Sequence, residues 1–245
     1  MREELLRLPG GPVGRPMWMW RYGHYGLPVV AFPTAGGYAH EWQERGMVAA
    51  LRPLIEAGRI KLYCPETNVA EAWVHGTAPP GERAELHGAY ERWVLEHLVP
   101  WIREDCRTPD IRMIAVGASM GAIYAANMTL GHPEVFSTGI CLSGRYELGT
   151  FTESSPDPRV WGCNPMTWHE RIDEERLARI RHHAQLVLVC GQGAFESNCL
   201  RETLTFSQRL RGRGVPHQLD VWGREVAHEW PWWHRQVRHH LERRV

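Results

Sequence analysis

The run Met113-Ile114-Ala115-Val116-Gly117-Ala118-Ser119-Met120-Gly121-Ala122 passes from four apolar residues straight into a Gly-x-Ser-x-Gly pentapeptide. Residues 111–116 predict a short buried strand, and the small and apolar residues from about 119 to 130 predict a helix closed by Gly131-His132-Pro133. A serine on a turn that joins strand to helix this tightly is forced to project its hydroxyl at the carboxyl edge of a sheet. The two glycines are needed because a Cβ there would meet neighbouring backbone. The alternative is a helix start with Ser119 as its cap.

Working outward, strands and helices alternate. Residues 16–22 and 27–32 read as strand, turn, strand, and 58–64 as the next strand. Met47, Leu51, Leu54 and Ile55 lie at helical spacing within 42–57. Leu86, Tyr90, Trp93, Val94, Leu98, Trp101 and Ile102 give a long helix that Pro100 should kink. Strands follow at 135–142, 185–190 and 218–222, with helices at 199–212 and 230–243. This alternation predicts an α/β fold with a mostly parallel sheet covered by helices on both faces. Residues 1–245 read as one domain, and the proline-rich stretch 150–170 reads as a short insertion over the sheet.

Composition narrows the function. Lysine plus arginine and aspartate plus glutamate both number 28, for a formal net charge of zero, which removes the global electrostatic case for nucleic acid or an acidic membrane. No apolar run is long enough for a signal peptide or a bilayer span. The six cysteines show no CxxC or similar metal spacing, so they are expected to be reduced, with no metal, no cofactor and a cytoplasmic setting. A neutral small molecule is the expected partner. Self-association into a homo-oligomer is left open.

A serine hydroxyl needs a base within hydrogen-bond reach. Where a nucleophile elbow opens the site, the chain order is serine, acid, histidine. His228 falls in the loop after the last predicted strand and before the last helix, where that base belongs. His182-His183 and His239-His240 lie in charged helical stretches and read as solvated, and His40, His75 and His169 lie in loops, where at most they line a pocket. The acid should follow the strand 185–190. Glu196 is the only carboxylate in that loop and Glu202 the next, expected to turn toward solvent; the alternative is that Glu196 merely opens a helix. Backbone amides of Met120 and of Ala35, with Gly36 in reserve, are the candidates for an oxyanion hole. Of the twelve tryptophans, Trp73, Trp161, Trp230 and Trp232 fall in segments expected around the carboxyl edge of the sheet, where at least one should line a pocket.

Leu98-Val99-Pro100-Trp101-Ile102, the Gly117–Ala122 run, His132-Pro133-Glu134-Val135-Phe136, Leu142-Ser143-Gly144 and His228-Glu229-Trp230-Pro231-Trp232-Trp233 together resemble the family named Putative esterase. That group of α/β hydrolases includes S-formylglutathione hydrolase, feruloyl esterases and mycolyltransferases. The Gly191-Gln192-Gly193-Ala194 loop is closest to a little-characterised bacterial subgroup of it. The resemblance implies the α/β-hydrolase fold and a serine carboxylesterase acting on a small ester through an acyl-enzyme. Acyl transfer with the same residues and a non-catalytic binding protein are the alternatives. Three positions depart from the family pattern. Pro33-Thr34 replace a histidine-glycine pair, Ala122 replaces a glycine, and Ala194 stands where the family carries its acid.

Overall fold

The computed structural model describes residues 1–167 and 172–245, so His169 and part of the expected insertion fall outside the described residues. The strands are β1 (Glu3–Leu8), β2 (Met17–Tyr22), β3 (Leu27–Phe32), β4 (Ile60–Pro65), β5 (Met113–Ala118), β6 (Phe136–Leu142), β7 (Gln185–Cys190) and β8 (His217–Val221). They form one sheet in the order β1-β2-β4-β3-β5-β6-β7-β8. From β4 to β8 every neighbouring pair is parallel, while β1 and β2 run antiparallel at one edge. β2 and β3 are both strands, but they do not pair as a hairpin, because β4 lies between them. β1 was not foreseen; its residues alternate between exposed and part-buried positions, as suits an edge.

The helices are α1 (Glu41–Glu44), α2 (Met47–Glu56), α3 (Pro80–Trp93), α4 (Val99–Asp105), α5 (Gly121–Gly131), α6 (Pro158–Cys163), α7 (Glu174–His183), α8 (Ser197–Gly212) and α9 (Trp230–Glu242). β4 and β5 are buried at every position, the mark of central strands covered on both faces. On one face, Met47, Leu51, Leu54 and Ile55 of α2 pack with Trp233, Val237 and Leu241 of α9. On the other, α3, α4, α5, α7 and α8 cover the sheet around Trp73, Trp93, Tyr124 and Phe206.

Two expected helices are interrupted, each for a local reason. The 42–57 segment breaks at Gly46, whose φ of 78° ends α1 and starts α2. Between α3 and α4, residues Val94–Leu98 form one wide turn in which the Val99 amide bonds the Val94 carbonyl. That extra residue in the turn lets Pro100 enter at the start of α4, where its missing N–H costs nothing.

Candidate active site

The carboxyl ends of β5, β6 and β7 converge on one region. Ser119 leaves β5 with φ 55°, a conformation that a side-chain-bearing residue adopts only under constraint. The constraint is visible at both glycines. A Cβ on Gly117 would sit 2.2 Å from the Gly121 carbonyl oxygen, and one on Gly121 would sit 2.5 Å from that of Pro33. Only glycine fits at either place, and the second contact seats the loop after β3 directly against the Ser119 turn.

Ser119 Oγ lies 3.1 Å from His228 Nε2. The other ring nitrogen, Nδ1, is 3.4 Å from Glu196 Oε2, a long hydrogen bond of the kind that tightens when substrate closes a site. Glu196 is fully buried, and its second oxygen accepts a hydrogen bond from the Ser143 hydroxyl at 2.5 Å. Ser143 in turn accepts one from the Trp233 indole at 3.0 Å, and Trp233 stands edge-on to the His228 ring at 4.8 Å. Burial alone would raise the Glu196 carboxyl, but hydrogen bonds from His228 and Ser143 outweigh it and hold the group below the usual carboxylate range. The carboxylate is therefore charged, and its lone pairs face the imidazole.

How Glu196 reaches this position is a matter of backbone. Ala194 gives its carbonyl to the His228 amide at 3.0 Å. Phe195 then takes a left-handed turn, φ 62°, which throws its ring out to 85% exposure and swings Glu196 inward. Glu196 sits at the N-cap position of α8, but its side chain makes no capping bond. The glycines of this loop are packed against the His228 loop: a Cβ on Gly191 would be 2.1 Å from the Val226 carbonyl oxygen. Glu202 does not face solvent. It is buried one helical stretch further on, where it accepts from the Arg145 guanidinium (3.0 Å) and from the amides of Tyr146 (2.6 Å) and Glu147 (3.0 Å), and so fixes the segment after β6.

In the loop after β3, Thr34 is held by Glu41, which accepts from its amide at 2.6 Å and from its hydroxyl at 2.5 Å. Pro33 has no N–H and the Thr34 amide is thus committed. Ala35 is the first residue of the loop whose amide has no acceptor among the described residues, and the Met120 amide has none either. Ala35 and Gly36 occupy the centre of a turn closed by the Gly37 amide on the Thr34 carbonyl.

The other histidines divide differently from the expectation. His240 is not solvated: it is fully buried, bonded to Asp220 at 2.9 Å, and burial depresses its pKa to about 4. His40 stacks on Tyr38 in the loop after β3, and His75 is exposed. The four tryptophans also scatter. Trp73 is core, bonded to His87. Trp161 faces a cleft with His132 and Arg176, Trp232 packs under Arg235, and Trp230 stands edge-on to Trp233. The aromatic rings left open near the β3 loop are Trp18 and Tyr38, in a shallow groove with Leu5, Trp20 and Glu66. A larger cavity, about 1000 Å³, lies at the opposite edge of the sheet among Arg21, Arg59, Lys61 and Asp105, away from Ser119.

Sequence reasoning missed Ser143, Trp233, Cys190 and Cys199. Ser143 follows β6 with φ 45°, and Cys190 and Cys199 place their sulfurs 3.4 Å from Glu196 Oε2 and 3.7 Å from His228 Nδ1. Serine in the motif Leu142-Ser143-Gly144 was part of the family likeness, but nothing local in the sequence ties it to a carboxylate 53 residues later.

The family model described as "Putative esterase" matches residues 58–243. The chain belongs to that family. Its fold is shared with a ferulic acid esterase (19% identity, 98% of this chain and 96% of that one, TM-score 0.71). It is also shared with an S-formylglutathione hydrolase from Staphylococcus aureus (14% identity, 98% and 96%, TM-score 0.71) and with Mycobacterium tuberculosis MPT51 (15% identity, 99% and 97%, TM-score 0.69). No curated protein matches the sequence. This family member has the α/β-hydrolase fold, and among its described residues no helix is long and apolar enough to cross a membrane.

Proposed function

We propose that this esterase-family protein is a serine carboxylesterase that cleaves a small carboxylic ester through an acyl-enzyme. The observation that carries the reading is the Ser119 Oγ to His228 Nε2 contact of 3.1 Å, made by a serine held at φ 55° in a turn only glycines permit.

In this reading His228 is neutral, with its ring proton on Nδ1 toward Glu196, so Nε2 accepts the Ser119 proton as the oxygen attacks the ester carbonyl. Charge developing on the carbonyl oxygen is met by the amides of Met120 and Ala35. His228 returns the proton to the departing alcohol, leaving Ser119 acylated. Water then enters by the same route, His228 takes its proton and passes it to Ser119 Oγ as the bond to the acyl carbon breaks, and the carboxylic acid leaves. Glu196 keeps the imidazole in the working tautomer and offsets the charge it carries in each transition state. The strained backbones at Ser119, Ser143 and Phe195, worth on the order of 1–3 kcal/mol each, persist because the packing around them leaves no alternative.

The test is labelling with a fluorophosphonate, which reacts only with an activated hydroxyl. One adduct is expected, on Ser119, and Ser119→Ala should lose both the adduct and turnover of short-chain chromogenic esters while melting at the wild-type temperature. An adduct that survives the substitution removes the proposal.

A further inference from the structure

The atoms around the far side of the His228 ring suit a second kind of chemistry. We propose that Glu196, Cys199 and His228 form a binding site for Zn²⁺ or a similarly soft divalent cation, and that filling it switches ester turnover off. One donor atom from each residue lies within 4.8 Å of the other two. The separations that matter are His228 Nδ1 to Glu196 Oε2, 3.4 Å, and His228 Nδ1 to Cys199 Sγ, 3.7 Å. Bonds to zinc of about 2.05 Å to nitrogen, about 2.1 Å to oxygen and about 2.3 Å to sulfur, at tetrahedral angles, require nitrogen–oxygen and nitrogen–sulfur separations of about 3.4 and about 3.6 Å. Both separations to His228 therefore stand at coordination spacing already, and the Glu196 oxygen and Cys199 sulfur, within 4.8 Å of each other, close on about 3.6 Å as the ion is bound.

The donor types select the ion. Imidazole, thiolate and carboxylate suit zinc and its neighbours, whereas Mg²⁺ and Ca²⁺ demand more ligands and only oxygens. Glu196 and Cys199 are three residues apart at the start of α8 and so share one face of it, while His228 arrives from the loop before α9. The carboxylate and a thiolate would balance the cation's two charges, the thiol proton leaving to solvent. The fourth position falls to water or to Cys190, whose sulfur is 3.4 Å from the same Glu196 oxygen. Cys199 has no part in the ester chemistry proposed above, because its thiol faces Nδ1 and not Ser119. A second grouping, Asp220, His239 and His240, is less suited. The Arg243 and Arg244 guanidinium groups contact the Nδ1 atoms of His239 and His240, at 2.8 and 3.5 Å, and oppose a cation there.

Occupation has a direct consequence. A metal on Nδ1 leaves the single ring proton on Nε2, so the nitrogen facing Ser119 turns from acceptor to donor. It can no longer take the hydroxyl proton, and Glu196 is withdrawn to the metal at the same moment. Substrate binding is untouched, so the loss falls on kcat.

This switching arm rests on the proposed esterase chemistry, and the binding arm does not. Ser119→Ala protein is titrated with Co²⁺, whose thiolate complexes absorb in the near ultraviolet. The expected result is one Co²⁺ per chain with that absorption, displaced by Zn²⁺ and absent when Cys199→Ala, or Cys199→Ser if alanine impairs folding, is added. In the wild type, Zn²⁺ should lower kcat at least about tenfold at constant KM, with recovery in EDTA. The half-inhibitory concentration should rise about 10–100-fold in the Cys199 variant relative to its own metal-free rate. Absence of the thiolate absorption, its persistence without Cys199, or equal Zn²⁺ sensitivity with and without Cys199 overturns the site. Cobalt binding as expected in a protein that turns over no ester would instead overturn the esterase reading and leave the site standing.

Discussion

Replacing Glu196 by glutamine exchanges one oxygen of the site for an NH₂ group and alters almost nothing in volume. Its effect can be worked through the surrounding hydrogen bonds. Ser143 accepts from the Trp233 indole and so turns its own proton toward Glu196 Oε1 at 2.5 Å. In the variant the amide oxygen must stay there to receive it. The NH₂ then faces His228 Nδ1, where Glu196 Oε2 now stands at 3.4 Å. Two donors cannot face one another, so the imidazole moves its proton to Nε2 and presents N–H to Ser119 Oγ instead of a lone pair. The same tautomer error in a related triad costs about 10⁴ in kcat, roughly 5 kcal/mol of barrier at 1.36 kcal/mol per decade. A fall of about 10³ to 10⁴ in kcat with little change in KM is expected, measured by steady-state hydrolysis of a chromogenic acetate and by the rate of fluorophosphonate labelling. Stability should shift in a defined direction too. A carboxyl whose folded pKa is depressed stabilises the protein above its unfolded pKa and loses that contribution as pH falls through the folded value. Glu196→Gln should therefore flatten the acid side of the stability profile. Wild-type turnover in Glu196→Gln would refute the argument, and Glu202 could not be called on to replace it, since Arg145, Tyr146 and Glu147 already bind both its oxygens.

Further outcomes can be read in the same protein. His228→Ala should lose several orders of magnitude in kcat/KM for esters, and near-native hydrolysis would mean another base serves Ser119. Ser143→Ala removes the short bond to a buried carboxylate and leaves the Trp233 N–H unpaired, so denaturant melts should show a loss of about 1–3 kcal/mol, with kcat also reduced; an unchanged midpoint would show that Ser143 is incidental. His240, neutral in the fold with a pKa near 4, gives up stability as the pH drops from about 6.5 to 4, because there the unfolded chain takes the proton first; the loss should be about 3 kcal/mol and should shrink in His240→Gln, and equal slopes in the two proteins would contradict it. Gly121→Ala should yield little folded protein, since its methyl would stand 2.5 Å from the Pro33 carbonyl oxygen; a soluble variant with wild-type melting would show that the β3 loop can move away.

Much of this was legible in the chain itself, and for a local reason. Strand, glycine, serine, glycine and helix follow one another within about ten residues, so the strain at Ser119 is dictated by neighbours in sequence, and His228 stands out by its place before the last helix. The alternating apolar periods likewise gave most strands and helices, with breaks at Gly46 and before Pro100 where glycine and proline act on their own backbone. What sequence could not decide were contacts between distant segments. Pairing between strands carries no local signature, and the insertion of β4 between β2 and β3 is settled only when the helices have both faces of the sheet to cover. The choice between Glu196 and Glu202 is of the same kind. They lie six residues apart, both are buried, and both accept hydrogen bonds. Only the left-handed turn at Phe195, and the arrival of Ser143 and Trp233 from other parts of the chain, aim one of them at His228 and the other at the segment after β6. A side chain's reach is local, but its partner is chosen by how the sheet brings remote loops to a single edge.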